Sequence, residues 1–335
     1  MSESTAHSAF DGLTHDRVIN QVETTLGVHG TNLCRPFNSY INRVYEVELN
    51  DGSFVVIKFF RPGRWSHDTL LDEQDFLLDL KEVDVPVIAP LTDEEGNSLH
   101  QADGLYFSIF PKLGGRICDE LNQEQWIEVG RLLGRVHQVG SEYIAEHRIT
   151  MSPSESAQAN LQELLQSESL IREHRNEFED VVQDLLSSIS PLFDPDDFIR
   201  IHGDLHAQNL IYRPGEGFFM IDFDDMAMGS PVQDMWMLLP GRYADTRWEM
   251  KCFLEGYTLF TDFAHSQLRL IEPLRAMRFL HFEAWCARQA ADGGFQRLAE
   301  GFGTSAYWQN EIAAFIRQKQ EIANSLREFE SDFFG

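Results

Sequence analysis

The chain has 335 residues, with 27 Lys and Arg against 54 Asp and Glu, a formal net charge of −27 at pH 7. That excess of carboxylates opposes binding to nucleic acid or to an anionic membrane, both of which attract cationic faces; it either serves solubility alone or favours a basic substrate. The length is large for one compact core, so one two-lobed catalytic unit or two domains are expected. Cys34, Cys118, Cys252 and Cys286 are widely separated and form no CxxC pair, as in a cytoplasmic protein that keeps its thiols reduced. The opening MSESTAHSAFDG lacks the basic start and apolar core of a signal peptide, and no apolar run approaches membrane-spanning length. A cytoplasmic monomer is expected.

In chain order, the first informative stretch is 36–45, PFNSYINRVY. Asn38-Ser39-Tyr40 stands just before a strand, where a phosphate-covering loop would sit, and Ser39 can offer a hydroxyl donor there. Residues 43–49, RVYEVEL, and 53–60, SFVVIKFF, are β-branched and aromatic and are joined by Asn50-Asp51-Gly52, which predicts a hairpin. Lys58 lies in its second strand. A lone Lys in a strand is usually a solvated edge residue, so a phosphate-contacting role requires a carboxylate partner.

That partner is sought in 68–82, DTLLDEQDFLLDLKE, whose leucines fall at helical spacing. Asp68 is the expected N-cap, and acids in the first turn complement the helix dipole. The helix offers Glu73, with Asp72 and Asp75 as alternatives. Residues 104–112, GLYFSIFPK, read as a further strand, after which a boundary is expected between parts 1–111 and 112–335. Gly114-Gly115 then begins a hinge, and Asn122 with Gln125 forms a capping box for a helix through Val139. Residues 141–200 are less informative, although 178–189 has helical apolar spacing.

The densest chemistry lies in 201–212, IHGDLHAQNLIY, and 218–225, FFMIDFDD. The turn Arg213-Pro-Gly-Glu-Gly217 between two short apolar runs predicts a hairpin that folds Asp222 back beside Asn209. Asn209 and Asp222 supply the few hard oxygens that Mg requires, since this ion keeps several waters. Asp204 suits an acceptor that orients a hydroxyl and takes its proton. A different reading makes His202, Asp204 and His206 an HxDxH cluster for zinc or iron. Further on, Asp234 can cap a helix beginning near Met235. Arg275 and Arg278 share a helix face and can meet an anionic group or neutralise nearby acids.

The run His202-Gly-Asp-Leu-His-Ala-Gln-Asn209 resembles the HGDxHxxN catalytic loop of the aminoglycoside phosphotransferase and choline kinase superfamily, and Ile221-Asp222-Phe223-Asp224 is similar to its metal-binding IDxD segment. Longer stretches, among them VVIKFFRPGRW, PVQDMWMLL and LIEPLRAMR, resemble the bacterial stress-response serine/threonine protein kinases of that superfamily. The resemblance implies an α+β, two-lobed protein-kinase-like fold, with a five-stranded antiparallel sheet and one helix before a mainly helical C-terminal lobe. It implies catalysis by Asp204 and Asp222, ATP contacts by Ser39, Lys58 and Glu73, and Mg held by Asn209 and Asp222. Among the acids of its helix, Glu73 is the one at the family position, and Asp234 resembles the family Asp that braces the catalytic loop by accepting its backbone N–H bonds. The implied acceptor is protein Ser or Thr; relatives that phosphorylate small hydroxyl compounds supply the alternative. No APE motif follows Asp222, so a peptide platform of the eukaryotic type is absent or built differently.

Overall fold

The computed structural model describes residues 10, 12–39, 41–118, 120–290 and 300–334; Tyr40 and most of the opening segment considered above lie outside the described residues. Two compact units are present, one made of Met1–Arg148, Asp204–Met226 and Trp248–Thr261, the other of Ile149–Gly203, Ala227–Arg247 and Asp262–Gly335.

The first unit opens with helix α1, His15–Leu26, capped by the Thr14 side chain and stopped at Gly27 in a left-handed conformation. Strands β1 (Gly30–Pro36), β2 (Arg43–Leu49) and β3 (Phe54–Phe59) follow, then helix α2 (His67–Glu82), β4 (His100–Ala102), β5 (Leu105–Pro111) and helix α3 (Gln123–Gly140). The strands form one five-stranded sheet in the order β1-β2-β3-β5-β4, antiparallel at every pairing. Side chains alternate across a strand, so Val55, Ile57 and Phe59 of β3 join Val47, Phe107 and Ile109 in a core with Val18 and Val22 of α1. Burying each such side chain is worth about 1.5–3 kcal/mol. The same alternation sends Lys58, paired with Val44 and Ser108, to the other face.

Helix α2 begins two residues earlier than a cap at Asp68 would allow, because its cap is Ser66. The Ser66 hydroxyl accepts from Thr69 N at 3.1 Å, whereas the Asp68 carboxylate is engaged with the ring of His67. Leu70, Glu73, Leu77 and Leu80 share its buried stripe, so helical periodicity inserts Glu73 where an apolar residue would otherwise stand. The capping box at Asn122 and Gln125 forms as expected, and α3 runs to Gly140. Strands Leu210–Arg213 and Gly217–Met220 pair antiparallel, with Leu210 opposite Met220.

In the second unit, Ala227–Gly229 pairs parallel with Thr150–Met151 and antiparallel with Ile199–Ile201. The rest is mainly helical: Gln158–Gln166, Arg172–Ile189, Val232–Trp236, Ile271–Ala290 and Ser305–Phe334. Phe178 meets Trp308 and Phe315 edge to face, locking the second of these helices to the last. The class is thus α+β, with a five-stranded antiparallel sheet and a helical C-terminal region. Among the described residues no helix is long and apolar enough to cross a membrane. All four cysteines are free thiols, with Cys34, Cys252 and Cys286 buried.

Candidate active site

In the first unit a cavity of ≈ 540 Å³ is walled by Ser39, Lys58, Glu73 and Asp222, with Val56, Phe110 and Ile211 among its apolar lining. A mainly apolar pocket of this size with a few convergent polar groups is the usual form of a small-ligand site. Lys58 Nζ stands 3.1 Å from Asp222 Oδ1, 3.2 Å from Asp224 Oδ1 and 4.0 Å from Glu73 Oε1. The partner sought in α2 is therefore Glu73. Asp72 instead accepts from His147 N at 2.8 Å.

Burial would drive the Lys58 ammonium toward neutrality, but the negative charges of Asp222, Asp224 and Glu73 outweigh it and raise its pKa. Burial likewise works to raise the pKa of Asp224, yet the cations Lys58, Arg64 and Arg148 hold it down at about 2. For Glu73 burial prevails and its pKa rises, with Lys58 and Arg148 opposing.

Asp222 takes φ 61 and ψ 66, the left-handed region that a non-Gly residue seldom occupies. Its carboxylate is 57% exposed, against 1% for Glu73, so of the two it is the one open to a ligand. Ile221 N donates to Asn209 O at 3.0 Å, which brings the residue before Asp222 against Asn209, as the hairpin reading requires. The Asn209 side chain donates through Nδ2 to Asp204 O at 3.0 Å, leaving its Oδ1 as an acceptor for a cation. Asp204 and Asn209 do not line the cavity wall; they share a short loop with Gln208, which does. His206 Nε2 lies 3.7 Å from Asp204 Oδ2.

Sequence reasoning missed the outer ring of charge. Arg64 binds the Asp224 and Asp225 carboxylates, Asn42 Nδ2 donates to Asp224 Oδ2 at 3.4 Å, and Arg148 Nη2 donates to Glu73 Oε2 at 3.0 Å. Proximity of Arg64 and Trp65 to Lys58 in sequence was the only signal available for part of it. Glu73, Asp222, Asp224 and Asp225 face Lys58, Arg64 and Arg148, a formal excess of one negative charge, and Asp204 lies near Asp225. The oxygen donors Asn209 and Asp222 suit a hard ion such as Mg. Among the described residues no group of three or more His, Cys, Asp or Glu could hold a metal, so the zinc or iron reading of 202–206 gains no support.

Within the second unit Asp234 accepts from His202 N at 2.7 Å and from Gly203 N at 2.9 Å. Its bracing role is thus realised. The capping alternative is not, because the helix starts at Val232 and Asp234 lies inside its first turn. Arg275 neutralises Glu272, 3.5 Å away, and stacks over the Trp236 ring at 4.7 Å.

The chain is similar to known proteins over most of its length. Stress response kinase A of Escherichia coli strain K12 is 38% identical over 289 residues, covering 86% of this chain and 87% of that protein. A Salmonella typhimurium protein named serine/threonine protein kinase RdoA is 36% identical over 284 residues, 84% of this chain and 86% of its own. Among solved structures, an amicoumacin kinase in complex with AMP-PNP, Ca2+ and its substrate superposes with a TM-score of 0.73 at 19% identity, over 96% of each chain, a likeness of fold. Residues 34–271 match the APH phosphotransferase enzyme family, and the chain belongs to it.

Proposed function

We propose that the chain is an ATP- and Mg-dependent serine/threonine protein kinase. The observation that carries this reading is Lys58 held between Glu73 and Asp222 in one cavity. Lys58 steadies the phosphates of ATP, Glu73 orients Lys58, and the Ser39 hydroxyl helps cover the nucleotide. Asp204 positions the acceptor hydroxyl and accepts its proton. Asn209 and Asp222 would hold Mg, which when bound neutralises charge developing on the transferred phosphoryl group. Positioning and charge stabilisation then supply most of the catalysis, and no covalent enzyme intermediate is needed. By role, residues 1–111 form the nucleotide-binding lobe and 112–335 the catalytic and substrate lobe, a division distinct from the two compact units. We place this activity in the cytoplasm, in a monomer.

The name of the Salmonella typhimurium relative, a serine/threonine protein kinase, supports a protein Ser or Thr acceptor. The amicoumacin kinase, whose substrate is a small molecule, supports a second reading in which the acceptor is an amino alcohol, a homoserine-like compound or an aminoglycoside-like compound. Incubation with γ-labelled ATP and Mg separates them. Label in protein Ser or Thr upholds the first reading, and label confined to a small hydroxylated amine upholds the second.

A further inference from the structure

We propose that Arg148 is a positioning residue for phosphoryl transfer, fixing Glu73, and through it Lys58, against the segment that carries Asp222 and Asp224. This rests on the kinase reading above. The Arg148 side chain is fully enclosed, at 0% exposure, and lies in a stretch to which the catalytic motifs give no role. Its Nε donates to Thr69 O at 2.9 Å and its Nη2 to Glu73 Oε2 at 3.0 Å, both in α2. Its Nη1 donates to Asp224 O at 2.8 Å and to Met226 O at 3.3 Å, just beyond Asp222. The Trp65 ring covers the guanidinium at 4.9 Å.

Enclosing a guanidinium is costly unless its donors are met, and an apolar side chain of similar volume would often serve stability as well or better. What an apolar residue cannot do is tie two separate segments together through one rigid fork of N–H groups. Arg148 does so between α2 and residues 224–226. It also engages one oxygen of Glu73 and leaves the other to Lys58, 4.0 Å away. That distance is long for a direct ion pair, and Lys58 lies closer to Asp222 and Asp224, so Lys58 alone would hold Glu73 loosely. Arg148 keeps α2 in register with the metal-binding segment in the unmodified chain.

The test is a double-mutant cycle in Arg148→Lys and Glu73→Gln, read as kcat/KM for MgATP with a basic protein as acceptor, alongside thermal melting of each variant. Arg148→Lys keeps the charge but loses the fork. It should lower kcat/KM by about tenfold in the wild-type background and by less than about twofold once Glu73 is Gln, because the two residues act as one unit. Equal losses in both backgrounds, tracking the melting temperature, would make Arg148 merely structural and overturn the inference. Wild-type protein that transfers no label from ATP to any acceptor would overturn the kinase reading itself. An active wild type with an unaffected Arg148→Lys variant would remove only Arg148.

Discussion

Asp222, like Asp84 and Asp103, takes a positive φ, and its left-handed conformation costs about 1–2 kcal/mol for a residue bearing a Cβ. Strain of this kind persists where surrounding structure enforces it, often at a functional centre. Here the 210–220 hairpin and the Ile221 N to Asn209 O bond impose it. Asp222→Ala should abolish the Mg-dependence of nucleotide affinity; calorimetric titration giving equal affinity with and without Mg for wild type would contradict its role as a ligand. Asp204→Ala should keep nucleotide binding while transfer falls about 100-fold or more, as loss of a general base does. Lys58 and Glu73 were legible through the family pattern, which alone separates Glu73 from Asp72 and Asp75; strand alternation and helical periodicity are the physical reason the two meet. Arg64, Arg148 and the buried part played by Asp224 were not, since ion partners separated by 75 or 160 positions leave no trace in local spacing.

At the scale of elements, the hairpins, α2 and α3 follow from turn residues, periodicity and caps, whereas the brace at Asp234 was legible only through the family resemblance. The cap of α2 was misread because Ser66 and Asp68 are both competent, and only the fold decides that the Asp68 side chain turns to His67. One packing feature had no sequence signature. A Cβ at Gly130 would lie 2.0 Å from Phe253 O, so α3 and the segment around Phe253 meet backbone to backbone. Gly130→Ala should therefore lower stability by about 1–3 kcal/mol despite its better helix propensity, measurable as a shift in denaturant midpoint. In the second unit, buried Glu283 accepts from Tyr307 Oη at 3.0 and 2.9 Å. Burial, with the neighbouring charge of Glu311, pushes its carboxyl up to about 8. Between its ordinary value and about 8 the folded state holds the proton that the unfolded state has lost, so stability falls as pH rises through that window. Glu283→Gln should flatten the decline in melting temperature between pH 5 and pH 9; an unchanged decline would refute the assignment.

For the whole molecule, the fold class and family were legible through the resemblance of the HGDxHxxN and IDxD runs to a known superfamily, while composition and local patterns set only bounds. They did not reveal that 204–226 and 248–261 fold into the same compact unit as the sheet, which depends on contacts between distant segments. Helix α1 was also missed, though it closes the core on Val18 and Val22. A net charge of −27 makes a cationic acceptor attractive at long range, so with a basic protein acceptor KM should rise with salt over the range in which screening lengths shorten to about 8 Å. The most direct measurement is transfer of label from γ-labelled ATP with Mg to a basic protein and to small hydroxylated amines, using wild type and Asp204→Ala. The account predicts label on Ser or Thr with wild type and its near-complete loss with Asp204→Ala. Equal labelling by both proteins, or none by either, would contradict it.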